Sequence, residues 1–189
     1  MKKFSFASLL ILLTAVNSAM ALDTVSVSYA QGEPANLRAG LLGAQWILPK
    51  PVFDFNDNFT NNWALTGLLD TQIGYWSGDG AASNGANAAI ATAAAAPLIR
   101  IQTTVHNTNL MPYLEGGVGL AFYSHDQIAD NQLGASWGFE NKVGVGLIFG
   151  ETKQYDISYH YVNFNNYHLY HQNDGFVADW MLTFAYHLA

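Results

Sequence analysis

Near the end of the chain, large apolar side chains fall on every second residue. Trp180, Leu182, Phe184, Tyr186 and Leu188 share one face, and Asp179, Met181, Thr183 and His187 share the other. A period of two belongs to a β-strand whose two faces meet different surroundings. The same alternation runs from Ala135 to Phe149: Ala135, Trp137, Phe139, Asn141, Val143, Val145, Leu147 and Phe149 oppose Ser136, Gly138, Glu140, Lys142, Gly144, Gly146 and Ile148. A Glu140–Lys142 pair set among glycines suits a narrow polar interior, and the apolar face suits lipid. Eight such segments are predicted, at 23–31, 36–48, 62–76, 97–106, 112–124, 134–149, 153–165 and 176–188. The longest exceed the usual soluble strand of about 5–6 residues and match a tilted membrane strand with its extensions.

An even number of strands lets an antiparallel sheet close with both ends on one side. Closure matters in lipid, where an open edge leaves backbone groups unpaired at several kcal/mol each. The predicted fold is therefore all-β, an eight-stranded antiparallel transmembrane β-barrel. A two-sheet sandwich also buries one face of each strand, so alternation alone leaves that architecture open. Connections near 49–61, 107–111 and 150–152 fall on the periplasmic side, and those near 32–35, 77–96, 125–133 and 166–175 on the outer side. Pro49 and Pro51 stop a strand firmly. Gly85 to Ala96 is low in complexity; its flanking Gly85 and Pro97 and its lack of a polar face predict a mobile outer loop.

The N-terminus adds an address. Lys2 and Lys3, the apolar run from Phe4 to Val16 and the small-x-small Ala19-Met20-Ala21 form an export signal, with cleavage after Ala21. At about 13 residues the apolar run is too short to span a bilayer as a helix. The expected division is a signal peptide over 1–21 and one β-barrel domain over 22–189, in the outer membrane of a Gram-negative bacterium. Without the two signal lysines, 5 basic residues face 14 acidic ones, a net charge near −9. That balance argues against nucleic acid as a partner, which needs clustered basic groups. Absence of cysteine removes disulfides, a thiol nucleophile and cysteine-based metal sites.

Candidate chemistry concentrates in Ile157 to Gly175, ISYHYVNFNNYHLYHQNDG: an alternating strand, a polar cluster at its end, a short loop, then Asn-Asp-Gly opening another strand. This resembles the lipid A 3-O-deacylase (PagL) family, whose pattern is roughly Tyr-x-Tyr-x-His-Tyr-Ser-Asn-Ala, a loop, then Asn-x-Gly. Further pieces resemble the family in order: Val25 to Tyr29 with Leu37 to Leu41 and Gln45-Trp46, then Trp63 to Gly67 with Ile73 to Trp76. Pro112 to Gly119 and Gly144-Val145-Gly146 follow.

The resemblance implies an outer-membrane barrel that hydrolyses the ester-linked 3-acyl chain of lipid A. The implied machinery is a histidine base, a serine two residues on and an acidic partner, set on the lipid-facing wall. Residues i and i+2 of a strand share a face, so an imidazole can take the serine proton while a carboxylate orients the ring. Its implied partners are lipid A or lipopolysaccharide of the outer leaflet and the membrane, and it implies no cofactor.

Ungapped alignment puts Asn163 at the histidine, Asn165 at the serine and Asn166 at the following asparagine. The acidic partner falls near Val177, with Asp174 and Asp179 the closest carboxylates and Asp179 the acid candidate. A three-residue shift aligns His160-Tyr161-Val162-Asn163 instead, restoring the histidine but placing Val162 at the serine. Both registers lose the nucleophile. Asparagine does not ionise near neutral pH and cannot run a proton relay. The reading is thus a barrel of deacylase type, degenerate at its catalytic positions; the alternative is a non-enzymatic structural, adhesive or lipid-binding barrel. A soluble periplasmic ligand-binding barrel is a third class.

Other groups carry weaker readings. His160, His168 and His171 cluster in the sequence, and His168-x-x-His171 has metal-ligand spacing but no clear third ligand, so they are read as polar loop residues, with no metal assigned. Ser158 and Tyr170 are candidate unusual nucleophiles without a base. Trp63, Tyr75, Trp76, Tyr113, Tyr123, Trp137, Tyr155, Trp180 and Tyr186 read as interface girdles. Asp70, Arg100, Glu115, Glu140 and Lys142 fall on inward faces as an internal ion-pair plug.

Overall fold

A computed structural model describes residues 21–48, 63–79, 89–103, 105, 108–171 and 174–188. Eight long strands close into a barrel: β1 (Thr24–Glu33), β2 (Leu37–Ile47), β3 (Trp63–Ser77), β4 (Ala89–Thr103), β5 (Met111–Tyr123), β8 (Trp137–Phe149), β9 (Tyr155–Asn165) and β10 (Phe176–His187). Each pairs antiparallel with its neighbours, and β1 closes on β10 with Thr24 opposite His187. Two short strands, β6 (Gln127–Ile128) and β7 (Asn131–Gln132), form a ribbon in the connection between β5 and β8. A closed barrel, not a sandwich, is the result. The proposed export signal lies almost wholly outside the described residues, as do the prolines at 49 and 51.

One expected loop is a strand. β4 begins at Ala89, so Ala89 to Ala96 belongs to the sheet, while 85–88 lies outside the described residues. Ile90, Thr92, Ala94 and Ala96 face inward and are buried, an alternation hidden by the uniformly small side chains. Pro97 did not end the strand. It faces outward opposite Leu69, and the pairing of β4 with β5 is interrupted at 96–97, where a proline has no N–H to give.

The outer wall is apolar. Val27, Leu42, Ile73, Leu114, Val143, Val145, Tyr159, Leu182 and Phe184 are among the large side chains exposed around the barrel. A soluble monomer rarely exposes so much contiguous apolar surface, and a bilayer accepts it without cost. That excludes the soluble-barrel reading.

The interior has two storeys. Toward the chain ends it is polar. Arg100 Nε donates to Glu115 Oε2 at 2.8 Å, and His160 Nε2 lies 2.7 Å from Glu115 Oε1. Lys142 Nζ meets Asp70 Oδ2 at 2.5 Å and Glu140 Oε1 at 3.4 Å. Tyr113 Oη donates to Asp156 Oδ1 at 2.8 Å. The expected internal ion pairs are present, joined by Gln45, Gln72, Tyr113, Asp156 and His160, which parity on neighbouring strands would have added. Glycines on β8 make the room: a Cβ at Gly144 would sit 2.1 Å from His160 Cδ2, and one at Gly146 would sit 2.2 Å from Tyr113 Cζ. A cavity beside Asp70, Arg100 and Lys142 is about 20 Å³, room for a water molecule, and with the side chains packed around it this storey is a filled core.

Toward the loop end the interior is aromatic. Phe164 and Phe176 stack at 4.4 Å, with Trp76 and Tyr123 edge-on to both. Ile128 and Leu133, in and beside the ribbon, are buried in the same cluster. Trp76, Tyr113 and Tyr123 are therefore interior residues and not girdle residues. They occupy the inward parity of β3 and β5, whereas Tyr75, Tyr155 and Tyr186 are outward as expected.

Candidate functional site

β9 is the strand on which the candidate residues sit. Its inward set, Asp156, Ser158, His160, Val162 and Phe164, is buried, and its outward set, Tyr155, Ile157, Tyr159 and Tyr161, is exposed. Asn163 and Asn165 continue the outward set as half-buried residues. Between them Phe164 turns inward onto Phe176, and that stack anchors the stretch of backbone presenting both amides to the lipid side.

The register surrounds Asn163 with Asn141 on β8 and Val177 on β10, and sets Phe139 opposite Asn165. Directly opposed residues on one face have Cβ atoms about 4.5–5.5 Å apart. The amides form one connected set. Asn165 Nδ2 donates to Asn163 Oδ1, and Asn165 Oδ1 accepts the Tyr167 backbone N–H at 3.1 Å. Tyr167 Oη donates to Asn141 Oδ1, and Asn141 Nδ2 donates to the Asn163 carbonyl at 3.3 Å. Asn163 Nδ2 donates no hydrogen bond within the described residues.

The loop beyond is tied down on its other side. Asn166, 2% exposed, donates from Nδ2 to the Leu133 carbonyl at 2.9 Å. Asp174 Oδ2 accepts the Gln132 N–H at 2.8 Å, and the Asp174 N–H donates to the Gln132 carbonyl at 3.0 Å. Asp174 is thus held by the ribbon. Asp179 sits in a bulge between Ala178 and Met181, where two residues of β10 occupy the space of one. The bulge turns Asp179 outward, off the face shared by Met181 and Thr183, against the simple alternation. Asp179 makes no hydrogen bond or ion pair with Asn163 or Asn165 among the described residues.

Three other candidates separate. His160 lies inside the barrel against Glu115, while His168 and His171 are exposed in the outer loop, so the sequence cluster is not a cluster in space. No group of three or more metal-ligating side chains converges among the described residues. Ser158 is buried on the inner face, and Tyr170 packs edge-on to Trp137 at 6.0 Å. The shifted register would place both of its matched residues, His160 and Val162, inside the barrel; the ungapped one keeps both on the outer wall. Sequence reading missed Tyr167 and the role of Asn141, which become neighbours of Asn163 only through strand register and the turn after β9.

An integral β-barrel of the outer membrane, with a polar site on its lipid-facing wall, is the class that this fold and this site define. Residues 41–186 match lipid A 3-O-deacylase (PagL), and the chain belongs to that family. Lipid A deacylase PagL of Pseudomonas aeruginosa is 28% identical over 180 residues, 93% of each chain. The crystal structure of the outer membrane enzyme PagL shares the fold, with a TM-score of 0.70 at 24% identity, covering 86% of this chain and 97% of that one.

Proposed function

We propose that this barrel binds lipid A in the outer leaflet at the lipid-facing end of β9 and lacks the proton relay by which its relatives would cleave it. The observation that carries this reading is the pair Asn163 and Asn165, hydrogen-bonded to each other on the outer wall with Val177 opposite Asn163. These are the three positions where the family resemblance expects base, nucleophile and acid. None of the three side chains ionises near neutral pH, and neither amide is a competent nucleophile. What remains is a donor: Asn163 Nδ2 has no partner within the described residues and suits the carbonyl oxygen of an ester-linked acyl chain. Asp179, turned outward by its bulge, shares this wall and makes no hydrogen bond to either amide among the described residues. We also infer that 1–21 is the export signal and 22–189 the barrel, on the basic start, the apolar run and Ala19-Met20-Ala21.

Mass spectrometry of lipid A from cells with and without the protein tests the first half of the proposal. The expected spectra are identical. Loss of one 3-hydroxyacyl chain on expression would show that another residue set hydrolyses the ester. Binding is tested by lipid A retention on the purified barrel in nanodiscs, expected to fall on Asn163→Leu.

A further inference from the structure

The outer end of β8 and the turn after β9 bring together side chains that an acyl chain does not need. Trp137, Phe139, Tyr167 and Tyr170 form a continuous aromatic row, with ring centroids 6.0 Å apart for Trp137–Phe139 and Trp137–Tyr170, and 5.2 Å for Phe139–Tyr167. Tyr167 is 53% exposed and Tyr170 38%. The row runs directly into the amide set, because Tyr167 Oη donates to Asn141 Oδ1. The turn that produces this contact is strained. Tyr167 has φ 50° and His168 φ 61°, the left-handed region that bulky side chains avoid. It is held by the Tyr167 N–H on Asn165 Oδ1 and the Leu169 N–H on the Asn166 carbonyl.

A second aromatic group lies at the opposite end of the same wall: Phe149, Tyr155, Phe184 and Tyr186. Among the described residues no amide side chain hydrogen-bonds to that group, and it has the composition of an interface girdle. The outer row differs by combining rings with uncharged donors and acceptors, and it contains no ionic side chain. Rings to cover C–H faces, with amides to meet hydroxyl and amide groups, form a surface for a pyranose ring; a phosphate would call for arginine or lysine.

We infer that Trp137, Phe139, Tyr167 and Tyr170 with Asn141 and Asn163 form a sugar-binding shelf. It takes the hexosamine face of a glycolipid at the polar boundary of the outer leaflet, and it selects glycolipid over phospholipid. The inference rests on the lipid A reading above, and adds which part of the lipid is recognised. Asn163 reaches the acyl ester, and the aromatic row reaches the sugar to which that ester is attached.

The test uses the full barrel in phosphatidylcholine nanodiscs with three probes: lipid A, its dephosphorylated form, and phosphatidylethanolamine. The variants are Trp137→Leu, Tyr167→Phe and Tyr167→Asn, the last because asparagine tolerates the left-handed turn. Heat-modifiable gel migration confirms closure of each barrel. Trp137→Leu and Tyr167→Asn are expected to weaken both forms of lipid A by about three- to tenfold and leave phosphatidylethanolamine unchanged. Tyr167→Phe, which keeps the ring, is expected to retain most of the affinity. Equal loss for all three lipids, no loss for lipid A, or loss confined to the phosphorylated form would overturn the shelf. If the wild-type barrel shows no preference for lipid A over phosphatidylethanolamine, the lipid A reading falls as well; a preference untouched by these variants removes only the shelf.

Discussion

Glu115 holds the polar storey together, and its replacement has a cost that can be worked from the contacts. The residue is 2% exposed, and it meets Arg100 at 2.7–2.8 Å and His160 at 2.7 Å. Glu115→Leu removes one partner of a buried pair, a change that typically costs about 3–5 kcal/mol because the opposite charge is left uncompensated. Arg100 keeps Gln45 at 3.3 Å and Asp156 at 3.7 Å, which places the expected loss near the lower limit, about 3 kcal/mol. Arg100→Met should cost a similar amount. The double variant removes both charges, so it should cost less than the two singles together, with a coupling of about 1–3 kcal/mol. Urea unfolding in detergent micelles, followed by tryptophan fluorescence and by heat-modifiable migration, measures all four corners of this cycle. Single losses under about 1 kcal/mol, or strict additivity in the double variant, would refute the claim that Arg100 and Glu115 act as one buried unit.

Three further outcomes are expected. Asn163→His, Asn165→Ser and Val177→Glu together should create release of a 3-hydroxyacyl chain from lipid A, at least about 100-fold above the unmodified chain, since a positioned general base alone contributes about 10²–10⁴-fold. A time course by mass spectrometry checks this, and Val177 is included because it faces Asn163 across the β9–β10 ladder. Val143→Arg, in the middle of β8 on the exposed wall, should destabilise the barrel by about 2–4 kcal/mol in vesicles, whereas a soluble protein would tolerate that change. Gly144→Ala drives a Cβ to 2.1 Å from His160 Cδ2 and should cost about 1–3 kcal/mol in the same unfolding assay, with the His160–Glu115 contact displaced.

Much of the barrel was legible because strand parity is local. Seven of the eight predicted segments differ from the observed strands by a few residues at their ends. The inward placement of Asp70, Arg100, Glu115, Glu140 and Lys142 followed from the same period. β4 was half lost, because alanine on both faces erases the contrast that alternation needs, and Pro97 reads as a stop although it stands at mid-strand with its ring outward. Trp76, Tyr113 and Tyr123 were assigned to girdles by residue type, while their parity sends them inside. The face of Asp179 departs from the alternation for a different reason. A period of two sets it with Met181 and Thr183, but a bulge at Ala178–Met181 breaks the period and turns it outward, and no residue type there announces it.

By itself the chain determined its class and the shared face of its candidate residues. An apolar face repeated every second residue must be covered, by lipid or by a second sheet, and strands of this length favour lipid; Asn163 and Asn165, two apart on β9, must share a face. Tertiary structure decided what surrounds that face. Antiparallel pairing and its register bring Asn141 from β8 and Val177 from β10 to either side of Asn163, and a left-handed turn lays Tyr167 back over Phe139. Those neighbours come from the two strands flanking β9 in the chain and from the turn that follows it. Their meeting depends on hydrogen-bond register and on a strained turn, neither of which is encoded in any short stretch of residues.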